Sequence, residues 1–396
     1  RSQYKDGKGK TKYLATTQFE AADARRAFPC WDEPAVKATF DVSLLVDKHL
    51  DAISNMPVAS KKIVGSKILY KFGRTPVMST YLLYLGVGEF EYLHGKLRNI
   101  KIRIVTTKGN KNKGKLSLDF TKKFLSEYEK YFGIKYPLPK LDMIAIPDFA
   151  AGAMENWGAI TFREAILLYD PKTSSTRTKQ YIAEVISHEL AHQWFGNKVT
   201  CGSWKDIWLN EGFATYLSGL TIENLDGNTA FTTWKQERNN SITSQPGGAV
   251  YLTDTDTLSV NRNFSGRLSY NKGAMVLHML RKKVGDANFF QGLKDYLSDT
   301  DHAYAYAKTQ DFIPIMEAAS GQSLTEFFSD WLYNQGYPSY TIEWNQISPT
   351  EVKTTITQTQ SDASVSYFEA PVPLRFLGTM GEVLDVTLNN TTNTEE

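Results

Sequence analysis

Cysteine is scarce in this chain. Cys30 and Cys201 are the only two among 396 residues, and neither stands in a Cys-x-x-Cys or other metal-ligand spacing. That excludes a disulfide-framed scaffold and a thiolate metal centre, and two isolated buried thiols are the expected state. No apolar run approaches the roughly 20 residues of a membrane-spanning helix, and no signal-peptide pattern opens the chain. A cytoplasmic location is the expectation. Charge of one sign is lacking too: 45 basic residues face 43 acidic ones, a net of +2. This argues against an electrostatic partner such as nucleic acid, and the densest basic run, Lys108–Lys115, reads as a solvated loop ahead of a helix. Internal repeats and low-complexity segments are absent. The chain has no initiating Met and stops after strand-like sequence, so a piece of a longer protein is expected.

What is present suffices for two or three domains with real cores: 41% of the residues are hydrophobic. The hydrophobic pattern changes period twice. Residues 1–105 read as β structure, with strands predicted at Ala38–Val46, Ile68–Phe72, Tyr81–Val87 and Ile100–Val105. Residues 106–336 mix helical faces, such as Leu118, Phe124, Leu125, Tyr128, Tyr131 and Phe132 closed by Gly133, with strands at Leu141–Ile146 and Ala159–Phe162. Further helices are predicted near 209–225, 267–284, 286–297, 309–319 and 323–335. From residue 337 strands return, at Tyr340–Trp344, Glu351–Ile356, Val372–Phe376 and Val383–Thr387. The fold class is therefore multidomain α+β: an all-β domain, an α+β domain and a β domain.

One helical stretch carries chemistry. Val185-Ile-Ser-His188-Glu189-Leu-Ala-His192-Gln-Trp-Phe-Gly196 contains His-Glu-x-x-His, and residues four apart share a helix face. His188 and His192 can therefore offer imidazoles to one ion, with Glu189 one position round and able to reach a bound water. The helix is apolar, so polar side chains on it need partners. Ser174, Ser175 or Thr176 can cap its start and Gly196 can end it. A third ligand is sought downstream. Glu211 follows His192 after 18 residues, room for a turn and a returning helix, and Trp208, Leu209, Phe213 and Leu217 around it make an unpaired carboxylate costly.

These residues, together with Gly152-Ala153-Met154-Glu155-Asn156 upstream, resemble the aminopeptidase N family of zinc metallopeptidases, gluzincins with an exopeptidase signature. Thr17-Gln18-Phe-Glu20, Ala24–Pro34, Ser269-Tyr270-Asn-Lys-Gly273 and Gln335-Gly-Tyr-Pro338 extend the likeness over nearly the whole chain. The resemblance implies an N-terminal β domain, a thermolysin-like catalytic domain at 106–336 and a β-sandwich domain at 337–396. It implies one Zn²⁺ held by His188, His192 and Glu211, with Glu189 as general base on a metal-activated water and Tyr270 as oxyanion donor. Gln18, Glu20 and the five residues Gly152–Asn156 would bind a peptide with a free N-terminus, whose protonated amine asks for carboxylates. A zinc endopeptidase would not need Glu20 and Glu155. Relatives with epoxide hydrolase activity on leukotriene A4 typically carry two glycines before Met-Glu-Asn, and Ala153 here favours the plain peptidase. A non-catalytic relative would have lost a ligand or the base, and none is lost. The chain departs from the family at Cys201-Gly-Ser203, which touches no catalytic position.

Overall fold

A computed structural model describes residues 2–6 and 8–395. The element that positions the site is a five-stranded sheet in the order Phe90–Leu97, Ile100–Thr107, Lys140–Ile146, Ala159–Arg163, Ala153–Met154. Its middle strand, Lys140–Ile146, is buried at every position and runs parallel to both neighbours, which explains its continuous apolar run. Residues 101–105 pair with residues 140–144, and the compositional change expected near residue 105 is no break in the sheet. Before it lie a four-stranded sheet that includes Thr11–Thr16 and Asp51–Ser54, and a three-stranded sheet with Lys67–Phe72 at its centre. After residue 337 come a three-stranded and a two-stranded sheet, built on the hairpins Pro338–Ser348/Glu351–Gln360 and Ala370–Leu377/Val383–Asn390.

Two predicted strands are partly replaced because side chains take over their backbone partners. Tyr81–Val87 is a 3₁₀ turn at Thr80–Leu82 followed by a strand at Leu85–Gly88. Asn55 accepts from Tyr84 N–H at 2.9 Å and donates to Leu82 O at 2.7 Å, so no neighbouring strand is needed there. Ala38–Val46 splits into Lys37–Ala38 and Ser43–Asp47, with Phe40 N–H bonded to Thr75 Oγ1. Cys30 and Cys201 are unpaired as expected, though Cys30 is only half-buried. No helix among the described residues is long and apolar enough to cross a membrane.

The helices follow their faces. Lys115–Phe132 buries Leu118, Phe124, Leu125, Tyr128 and Phe132 and ends at Gly133 in the left-handed region, φ 67°. The helix predicted near 209–225 runs over Trp208–Ile242, interrupted at Gly227 by φ 84°. The segment predicted at 267–284 is a π turn, Gly266–Lys272, leading into Gly273–Val284, and that at 323–335 is Thr325–Phe328 followed by a π turn at Ser329–Tyr333. Gly212 explains how these pieces meet. A Cβ there would stand 3.1 Å from Gly273 C, so the backbones touch just beyond Glu211 and Tyr270.

A buried ionic cluster ties the sheet to the preceding β segment. Lys140 Nζ donates to Asp142 Oδ2, Ser54 O and Gly158 O, each at 2.7 Å, and Arg103 forks onto both oxygens of Asp142 at 2.6 Å. Burial lowers Lys140 to about 8 despite the Asp142 charge, while Lys140 and Arg103 outweigh burial to hold the Asp142 carboxyl below its usual range. Asp142→Ala leaves Lys140 without its counter-charge, and a loss of about 3–5 kcal/mol is expected in denaturant unfolding. A loss under about 1 kcal/mol would mean the cluster is dispensable.

Candidate active site

The helix bearing the paired histidines spans Thr176–Ala191 and is capped by Ser175, whose Oγ accepts from Thr178 N–H at 3.1 Å. It ends before Gly196. His192 occupies the C-cap, and Gly196 belongs to a tight return in which its N–H bonds Val199 O at 2.8 Å. His192 N–H still bonds His188 O at 3.3 Å, so the two imidazoles share one face. Glu211 enters from the first turn of the long helix.

The three ligand atoms converge. His188 Nε2 and His192 Nε2 are 3.0 Å apart, and Glu211 Oε2 lies 3.2 and 3.3 Å from them. Ligand atoms at about 2.0–2.1 Å from a shared tetrahedral ion stand roughly 3.3 Å from each other, so the spacing suits a metal. The donor chemistry suits it as well. Phe195 O can only accept, so His192 Nδ1, 3.0 Å away, carries a proton and Nε2 is the nitrogen left to face an ion. Among the described residues this is the one such group of three or more potential ligands.

The cleft around these atoms encloses about 650 Å³ and is strongly acidic, being lined by Glu20, Glu155, Glu189 and Glu211. Glu20, Glu155 and Glu189 each keep a buried carboxylate oxygen without a hydrogen-bond partner. Burial, then the charges of the neighbouring glutamates, push Glu20 and Glu189 well above the ordinary carboxylate range. At Glu189 the His192 charge opposes the rise. Burial likewise raises Glu155. His192 feels the opposite pull: burial lowers it, but Glu155 and Glu211 outweigh burial and bring it to about 10. Glu211, raised by burial but more strongly lowered by the two histidines, falls to about 2. The field therefore asks for positive charge between the three ligand atoms.

Tyr270 stacks on His188 with ring centroids 5.9 Å apart and planes 8° from parallel, and burial first, then Glu211, keep its phenol protonated. Residues 152–156 divide by strand parity. Ala153–Met154 is the outer strand of the sheet, pairing with Phe162 and Thr161, so its other edge is open. Ala153 and Glu155 line the cleft, as does Gly152, whereas Met154 and Asn156 point behind it. Met154 Sδ accepts from Gln18 Nε2 at 3.1 Å, and Asn156 Nδ2 donates to Thr161 Oγ1 at 3.3 Å. Gln18 lines the cleft with a buried Oε1 free of partners.

Two functional supports lie outside the sequence motifs. Gln193 and Asn197, both fully buried, donate to Glu155 O at 3.2 and 2.9 Å, so the segment that carries the histidines also grips the acidic strand. Asn55 and Lys140 hold the following residues by donating to Trp157 O at 3.0 Å and Gly158 O at 2.7 Å. The signal was there for Gln193 and Asn197: amide side chains in an otherwise apolar run need buried partners. The far wall, Tyr181, Glu184, Thr215, Ser218 and Arg238, carried no recognisable spacing.

Comparison with known proteins agrees with this geometry. The Peptidase family M1 domain matches residues 116–331 and the Peptidase M1 N-terminal domain matches residues 1–82. The chain belongs to peptidase family M1. It is similar to Aminopeptidase M1-B of Oryza sativa, 44% identical over 346 residues, covering 85% of this chain and 39% of the relative. Aminopeptidase M1 of Arabidopsis thaliana is 44% identical over 339 residues, covering 83% and 38%. Leucyl aminopeptidase of Saccharolobus solfataricus is 42% identical over 346 residues, covering 85% and 42%. The chain thus spans about two fifths of the length of the curated relatives it matches.

A direct check of the ligand geometry is titration with Co²⁺, followed by its visible absorption. One ion per chain is expected, and His192→Ala is expected to weaken binding by more than about 100-fold, beyond the effect of losing an outer partner.

Proposed function

We propose that this chain carries the catalytic machinery of a zinc-dependent aminopeptidase, hydrolysing the N-terminal peptide bond of peptides. One observation carries the reading: partner-free carboxylate oxygens of Glu20 and Glu155 share a cleft with the His188–His192–Glu211 group. Two imidazoles and one carboxylate, leaving room for a fourth group, are the ligand set of a catalytic zinc. Bound there, zinc would acidify a water and polarise the substrate carbonyl.

The chain's own residues do the rest. Glu20 and Glu155 take the protonated α-amine, which fixes the register one residue from the scissile bond. The open edge beside Ala153 accepts the extended substrate backbone as an added strand, and Gln18 stands beside the first side chain. Glu189 receives the proton of the attacking water and returns it to the departing amine, a role suited by its raised proton affinity and free oxygen. Tyr270 donates from its neutral phenol to the developing oxyanion. Peptides with a free N-terminus are accordingly the proposed partners. For domain organisation, we propose an N-terminal β unit, a thermolysin-like catalytic unit and a β-sandwich unit.

Two substitutions separate the roles. Glu189→Gln is expected to retain one zinc per chain while turnover falls by roughly 10²–10⁴-fold. Retention of most activity would remove the base assignment. Glu155→Ala is expected mainly to raise KM for an unblocked aminoacyl amide, and unchanged KM would end the amine-binding role. The unsubstituted chain should leave the N-acetylated amide intact. Cleavage of both amides at similar rates would point to an endopeptidase.

A further inference from the structure

A second cavity, of about 600 Å³, opens where the helices meet the strands that follow residue 337, and shares no lining residue with the acidic cleft. Its walls are apolar, with buried Phe327 and Trp331 facing Pro338, Tyr340, Pro371 and Pro373. Its polar groups are almost all hydrogen-bond donors. Lys235 from the long helix and Lys282 and Lys283 from helix Gly273–Val284 converge on it, none of them ion-paired among the described residues. Glu369 is the single acidic group in the lining.

His278 joins the donors through a chain of hydrogen bonds. Arg281 Nη1 can only donate, so the Tyr216 hydroxyl, 3.3 Å away, accepts from it. With Arg281 donating to that oxygen, we assign the phenol's own proton to His278 Nδ1 at 3.2 Å. The imidazole proton is left on Nε2, which has no hydrogen-bond partner among the described residues. Burial first, and then Lys235, Lys282 and Arg281, depress this imidazole to about 4, so it stays neutral near pH 7 and keeps that tautomer.

We propose that this cavity binds a small amphiphilic anion, its apolar body against Trp331 and the prolines and its carboxylate held by Lys235, Lys282, Lys283 and the Nε2–H of His278. The volume lies within the roughly 300–1,000 Å³ of small-molecule sites, which pair apolar walls with a few convergent polar groups. Lys235 Nζ lies 4.8 Å from the centre of the Phe231 ring, but no carboxylate among the described residues pairs with any of the three ammonium groups, and an anionic head offsets their mutual repulsion. The site stands on its own lining and does not depend on the peptidase reading.

Calorimetric titration of the whole chain with decanoate tests it. One saturable site per chain is expected, with decanol binding at least about tenfold more weakly, the weight of a charge-assisted hydrogen bond. The Lys282→Glu/Lys283→Glu double variant should lose decanoate binding by a similar factor while metal uptake is unchanged. Three results would each overturn the proposal: no saturable binding, equal affinity for decanol, or undiminished binding in the folded double variant. The last would place the ligand elsewhere, as in the open groove lined by Trp344 and Leu384. Should the double variant fail to fold, the comparison of decanoate with decanol on the unsubstituted chain still decides.

Discussion

Buried negative charge is the constraint to which the molecule answers. Glu20, Glu155, Glu189 and Glu211 come from four separate segments and end in one cleft, where burial alone costs several kcal/mol per ion before they repel one another. Such a cluster persists only if its carboxyls take up protons or cations are supplied. Two imidazoles supply part of the balance at Glu211, and a metal ion and a substrate ammonium complete it under the function proposed above. Binding and folding are therefore linked: the groups least comfortable in the free chain are those with most to gain from ligand.

Holding that charge in place takes a hydrogen-bonded surround. Glu155 cannot relax away from Glu211 because Gln193 and Asn197 grip its carbonyl, and the next residues are pinned by Asn55 and Lys140. Lys140 in turn depends on Asp142 in the buried central strand. Gly212 and Gly273 let two backbones touch, which brings the Glu211 and Tyr270 segments to the same wall. The partner-free carboxylate oxygens of Glu20, Glu155 and Glu189 all belong to residues that line the cleft.

How much of this was legible depends on the range of the interaction. His188, Glu189 and His192 lie within a single helical turn, so local periodicity reveals their common face. Glu211 could be named because the apolar residues around it make an unpaired carboxylate untenable. The Lys115–Phe132 helix and its Gly133 stop were equally local. The failures were non-local. Asn55 replaces a neighbouring strand for Leu82 and Tyr84, so an apolar run that reads as one strand folds as a turn and a strand. Strand pairing beyond residue 105 hid the continuity of the central sheet. Within Gly152–Asn156 adjacent strand residues face opposite ways, which a motif read as a unit does not show. The site residues named through family likeness rest on the motif, while their convergence rests on the geometry.

The account makes one demand above the others: a single metal and a single ammonium-binding pair must serve the same bound peptide. Anomalous diffraction at the zinc edge, from crystals holding a phosphinic dipeptide analogue with a free amine, addresses this directly. The account predicts a zinc peak among His188 Nε2, His192 Nε2 and the Glu211 carboxylate, with the analogue's ammonium on Glu20 and Glu155. A zinc peak elsewhere, or an ammonium turned away from those two carboxylates, would contradict it.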